Sequence, residues 1–280
     1  VYSGGYISSI EPDFNSKTAY FNVSESLFGD LTTVNFGYTQ GCDVVGKVDR
    51  GIVQPFRADA DRRNYQVGLS QVLTRNLLLG LNYETDADNG YLHSPYRSVR
   101  FIDPTVVRGY SYQPERYPGT RTSNAASAEI KYYLPWHAAL DGTYRFYTDT
   151  WGIEANTFRV GYTQPAFTRW TFDGELRYYD QTHATFYSDL FPYANAQNFL
   201  ARDRELAQFH SMTAGIGASW QFQPGWPKWV QKGSLNVDLQ RMFIDYEDVH
   251  NVLRPVVVPG TEPLYTLDAT VGQFFISFWY

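Results

Sequence analysis

Apolar and polar side chains alternate strictly along most of this chain, with a period of two. From Asn64 to Thr74, Tyr65, Val67, Leu69 and Leu73 fall on one face and Gln66, Gly68 and Ser70 on the other. Leu77, Leu79, Leu81 and Tyr83 oppose Gly80, Asn82 and Glu84. The pattern returns at Ala126–Tyr132, Leu140–Phe146, Phe158–Tyr162, Trp170–Tyr178, Met212–Trp220 and Leu235–Leu239. Period two marks strands with unlike faces. A soluble sandwich also alternates, but its strands average only ~5–6 residues. These runs are long enough to cross a bilayer at a tilt, which takes ~9–11 residues.

Connector lengths sharpen the reading. Short links are expected at 28–32, 74–77, 134–138, 164–168 and 223–233. Longer ones are expected at 8–17, 45–63, 85–122, 182–208 and 247–266, with a tighter bend at 149–154 among them. Short and long links alternate, so they lie at opposite rims. With 1–7 counted as a strand, the pattern predicts an all-β, antiparallel transmembrane β-barrel of about twelve strands. Its sheet would close on itself, with short periplasmic turns, long extracellular loops and both termini in the periplasm. Residues 1–280 form a single domain in this reading. Val1 in place of an initiator Met is read as a processed product that lacks the N-terminal part of its precursor.

Composition agrees. The chain has 23 Tyr, 19 Phe and 7 Trp, 18% aromatics in all, yet its mean hydropathy is -0.39. A buried tyrosine needs a partner for its hydroxyl. A wall between lipid and water accommodates the ring and leaves the hydroxyl wet. No apolar run is long enough for a transmembrane helix, so a membrane-crossing chain must cross with strands. Cys42 is the sole cysteine, which excludes an intrachain disulfide. A net charge of -6 without a basic stripe argues against nucleic acid.

The last strand places Phe274, Ile276, Phe278 and Tyr280 on one face, with an aromatic terminal residue. That ending resembles the signature by which the insertion machinery recognises outer-membrane proteins. A Gram-negative outer membrane is therefore the expected location, with its lipid and that machinery as partners. Further segments resemble a family of outer-membrane barrels known as a domain of unknown function. They are Asn89-Gly90-Tyr91-Leu92 with Pro95-Tyr96, Lys131-Tyr132-Tyr133-Leu134-Pro135, Tyr144 to Ile153, and Phe186-Tyr187-Ser188-Asp189. The resemblance covers most of the chain from about Tyr20 to Tyr280. It implies fold and location and brings no activity. Its gene context, with flavin-transferring and thioredoxin-like proteins, implies a redox-linked envelope system.

The candidate chemistry lies first in the barrel interior. By parity Glu129, Lys131, Asp141, Arg145, Arg159, Asp173, Glu175, Arg177 and Asp238 face inward. Rings of charge select solutes by sign. A selective pore favours one sign, and the mixed signs here favour an ion-pair network that fills the barrel. Asp86, Asp88 and Asn89, ahead of Gly90, resemble the opening of a calcium loop. The closing bidentate acid is missing, so a solvated turn is the default and no cofactor is expected. The five histidines, His93, His137, His183, His210 and His250, include no pair at metal-ligand spacing. His93, His183 and His250 fall in or near long loops, where they could converge.

His210 and Ser211 are adjacent on a strand and face opposite ways, which argues against a hydrolase dyad. Trp136, Trp151, Trp170, Trp220, Trp226, Trp229 and Trp279 suit an interfacial girdle. Pro224-Gly225-Trp226-Pro227 with Trp229 reads as a rigid turn, and the apolar stretch 252–258 as a loop strand or contact patch. The leading expectation is a channel for small polar solutes with a charged lumen. The alternative is a non-conducting barrel that anchors an envelope complex, with a protein partner.

Overall fold

The computed structural model describes residues 1–223, 231–254 and 256–279. Its wall begins with β1 (Tyr2–Ile10), β2 (Phe14–Leu27), β3 (Thr32–Asp49), β4 (Ile52–Thr74) and β5 (Leu77–Gly90). A small hairpin, β6 (Ser98–Ile102) with β7 (Tyr110–Pro114), interrupts it. The wall resumes with β8 (Thr120–Tyr133), β9 (Ala139–Asp149), β10 (Glu154–Ala166), β11 (Trp170–Gln181), β12 (Phe209–Phe222), β13 (Lys232–His250) and β14 (Leu264–Trp279). Twelve strands form one antiparallel sheet in chain order, with β5 pairing directly with β8. This is the expected all-β transmembrane barrel architecture.

Register fixes two unlike faces. Tyr144, Phe158, Tyr178, Met212 and Phe243 form one continuous row across β9 to β13. All five side chains are exposed. Leu69, Leu81, Val160, Leu176, Ile216, Leu239 and Ile276 belong to the same outer surface and are also exposed. In water so wide an apolar surface would demand a partner; in a bilayer, lipid covers it. Asp141, Gly161, Glu175, Gly215 and Gln240 form a matching row on the other face. Phe274, Ile276 and Phe278 share the lipid-facing side, since they pair with Val237, Leu235 and Gly233. Tyr280 lies outside the described residues, as do Pro224-Gly225-Trp226-Pro227, Trp229 and the turn they were read to form.

The strands run further than the alternation suggested. Residues 8–17 and 45–63 are not long loops. β1 and β2 continue to a turn at 11–13, and β3 and β4 continue to a tight turn at Arg50 and Gly51. Both turn residues have positive φ, 48° and 80°, the geometry that lets a two-residue link match strand twist. Past the apolar belt both faces of these strands meet water, so the unlike-face pattern fades while the ladder continues. The described residues of the stretch 252–258 form no strand; Leu253, Val257 and Val258 are exposed there.

Closure also departs from expectation. β1 and β14 are the two ends of the sheet, and no ladder joins them among the described residues. β1 carries Ser3, Gly4, Gly5, Ser8 and Ser9. Such a strand specifies its register only weakly.

Candidate functional site: the polar face and its cap

The nine charged residues singled out by parity all lie on the face opposite the apolar row. Glu129 pairs with Gly80 and Thr143, Lys131 with Asp141, Arg145 with Ser127, and Asp238 with Gly217 and Gln273. Several meet. Arg159 reaches back to Asp141 on β9 and forward to Glu175 on β11, at 2.7 Å from Nε to the Glu175 carboxylate. Arg145 spans two strands to Glu84, 3.6 Å away. Lys131 pairs along its own strand with Glu129 at 3.0 Å. Asp173 accepts a hydrogen bond from Thr163 at 2.8 Å. Arg177 lies against the Tyr179 ring and, among the described residues, has no ion pair.

How these side chains lie is set by glycine. A Cβ on Gly161 would sit 2.3 Å from an Asp141 oxygen, and one on Gly217 would sit 2.6 Å from Asp238. Asn22 lies over Gly37 and Asn82 over Gly68 in the same way. Polar side chains therefore lean along the wall across neighbouring glycines instead of standing upright in the lumen. A cavity of about 220 Å³ lies on this face, lined by Asp141, Asp173, Glu175, Asp238 and a single cation, Arg159. Its charge is acidic in excess.

Above the wall the long connectors fold into a cap with a dry core. Trp151, Ile153, Phe186, Tyr187, Leu206 and Val249 pack together, against Tyr117, Tyr147, Tyr246 and Tyr265. Tyr147 and Tyr246 belong to the polar face of β9 and β13, so the cap rests on the mouth of the barrel. A second cluster joins Val99, Phe191 and Leu200. Trp151 is thus not a girdle residue. Asp149 organises its bend: one carboxylate oxygen accepts the backbone N–H groups of Trp151 and Ile153, each at 2.9 Å. Trp136, Trp170 and Trp220 do sit at the short-turn rim, with the last two rings stacked.

Charge locks the cap. Arg100, fully buried, donates to Asp189 at 2.9 Å and to Glu262 at 2.5 Å. These three residues come from three different loops. Burial works against the Arg100 charge, yet the two carboxylates hold its pKa above the ordinary value. Burial pushes Glu262 up, but Arg100 outweighs it and keeps its carboxyl below the usual range. Arg202 joins Asp189 at 2.9 Å. Tyr96 donates to Asp13 and accepts from the backbone of Val48, tying the same loop to the β1–β2 and β3–β4 turns. Sequence reasoning missed this cluster. Arg100 contacts residues 89 and 162 positions away, and its neighbours carry no signal of that.

The remaining candidates separate. Asp86, Asp88 and Asn89 are not in a turn but in β5, paired on both sides. Asp86 and Asp88 face the lumen and Asn89 faces away. Asp86 accepts from Asn64 at 2.6 Å. Among the described residues no three His, Cys, Asp or Glu groups are placed to hold a metal. His183 and His250 line one cavity. His93 lies elsewhere, stacked between Tyr91 and Tyr117, where burial lowers its pKa. His210 faces outward beside Asp245 and Glu247, while Ser211 is buried on the other face.

A family model described as a protein of unknown function (DUF3570) matches residues 54–234, well over half the chain. No curated protein matches the chain in sequence. Among solved structures, OmpT, an outer-membrane protein of Vibrio cholerae, is similar at a TM-score of 0.44 and 8% identity, covering 100% of this chain and 95% of its own. BamA from Haemophilus ducreyi lacking POTRA domains 1–3 gives 0.41 and 9%, over 98% of this chain and 64% of its own. The ferric-catecholate import receptor Fiu of E. coli K12 gives 0.40 and 11%, over 98% and 50%. At such values none lends this chain a function.

Proposed function

The chain belongs to the DUF3570 family of proteins of unknown function, and from that premise we propose that it is an outer-membrane channel for small polar solutes, with a preference for cations. One observation carries the reading: on the polar face Asp141 lies flat over Gly161 and Asp238 over Gly217. Side chains held against the wall leave the centre to water. The cavity they line carries four carboxylates against one guanidinium, and fixed charge of one sign raises the local concentration of the other.

In this reading the capped rim is extracellular and the short turns are periplasmic. Outer-membrane lipid covers the apolar belt, and Phe274, Ile276, Phe278 and Tyr280 serve insertion. The test is the reversal potential of the purified protein in a planar bilayer under a salt gradient. A potential toward the cation equilibrium value supports the reading, and a current that favours anions contradicts it.

The cap favours a second reading, a non-conducting barrel that anchors an envelope complex, whose redox link rests on the family resemblance alone. Loops from several sides interlock over the mouth through Arg100 and Tyr96. That reading expects no conductance from folded protein and a stoichiometric partner on mild extraction.

A further inference from the structure

The cap carries a second, open cavity, of about 520 Å³, between the 182–208 segment and the outer end of β13. Two histidines line it, one from each side. His183 meets Asp248 through Nδ1 at 3.0 Å, and His250 meets Asp189 through Nδ1 at 3.1 Å. The arrangement is reciprocal: each segment supplies one histidine and one carboxylate to the other. An Nδ1–H donated to a carboxylate leaves the Nε2 lone pair free and fixes the ring. Metal-ligating histidines are held in this way.

Two further observations bear on the occupant. Glu247 lines the same cavity, with its carboxylate steadied by Gln208 Nε2 at 2.6 Å. Tyr187 also lines it, with its ring stacked on His183. Three carboxylates at the cavity oppose an anion. Imidazole ligands suit borderline cations such as zinc, cobalt or copper, whereas calcium and magnesium call for oxygen cages.

We propose that this cavity binds one divalent transition-metal ion, on Nε2 of His183 and of His250, with water completing the coordination and Glu247 neutralising the charge. Two imidazoles without a third protein ligand make an open, exchangeable site, not a structural one. The proposal stands apart from the conduction reading, since binding needs only the folded cap.

The experiment uses tag-free protein folded in detergent. Zn²⁺ is titrated by calorimetry, and Cu²⁺ is followed by electron paramagnetic resonance. One Zn²⁺ per chain is expected, and Ca²⁺ should not compete with it. The Cu²⁺ spectrum should carry the splitting of two imidazole nitrogens. His183→Ala or His250→Ala should abolish the stoichiometric step, while His93→Ala and His210→Ala should keep it. Asp248→Asn should weaken affinity by about 10–100-fold, the usual effect of losing a carboxylate behind a ligating histidine. Absence of saturable binding, or binding indifferent to both His183 and His250, overturns the proposal. The wild-type Cu²⁺ spectrum decides it even where a variant fails to fold: a spectrum without two nitrogens refutes the site.

Discussion

The wall and the cap are held together by different physics. In the wall nearly every backbone group is satisfied by a neighbouring strand, and most side chains meet lipid or water. Ile216 and Val160 are exposed, so trimming them leaves no internal void. In the cap regular pairing is sparse, and order comes from a dry core and buried charge. Phe191, Leu200 and Arg100 are fully buried there. The wall is therefore tolerant residue by residue, whereas the cap depends on a few side chains that only the folded loops bring together.

The largest effect should come from the buried cation. Arg100→Met leaves Asp189 and Glu262 desolvated without their guanidinium, which costs about 3–5 kcal/mol. Hydrogen exchange should show loss of protection in 91–119 and 251–263, with the strands still protected. A wall that unfolds together with the cap would erase the distinction between them. Next is Leu200→Ala, which opens a cavity in the cap core and costs about 2–5 kcal/mol. Ile216→Ala, on the lipid face, should stay within about 0.5 kcal/mol in the same denaturation series.

The pH response should also divide the molecule. His93 has a lowered pKa because it is buried. Its neutral form contributes stability that is complete above its ordinary value of 6.5 and is lost as pH falls through the lowered value. Glu262 follows at lower pH: its contribution is complete above its ordinary 4.5 and disappears as pH falls through its depressed value. Cap protection should therefore fall as pH drops from 7 toward 4, and His93→Phe should remove that first part; the Glu262 part should follow below pH 4.5. A cap indifferent to pH across both ranges would contradict both assignments.

A small change in stability should accompany a clear change in ion selectivity. Arg159 is partly exposed, so Arg159→Gln should cost no more than about 1 kcal/mol. It removes the one cation of the acidic cavity, and the reversal potential should move further toward the cation limit.

The wall was legible because a strand with unlike faces imprints its period on the sequence. Tyr65, Val67 and Leu69 announce β4, and parity alone assigns the nine charges to the face that the ladder sets opposite the apolar row. Where both faces meet water, at 45–63, that imprint disappears and the sequence alone suggests a loop. The cap was not legible: Tyr91, Tyr96, Trp151, Phe186 and Asp189 lie in the segments that carry the family resemblance, which implies fold and location only, and no local pattern states that they pack together. Arg100 lies between Val99 and Phe101 like any strand residue, and its partners are fixed only by tertiary contact. Asp86, Asp88 and Asn89 show the opposite failure, a motif legible in sequence that the ladder divides between two faces.

Single-channel conductance of the wild type beside Arg100→Met tests the central claim, a wetted lumen beneath an interlocked cap, most directly. The wild type should show a small, steady, cation-preferring conductance, and Arg100→Met a larger one once the cap is loosened. Folded protein that passes no current in either form would contradict that claim.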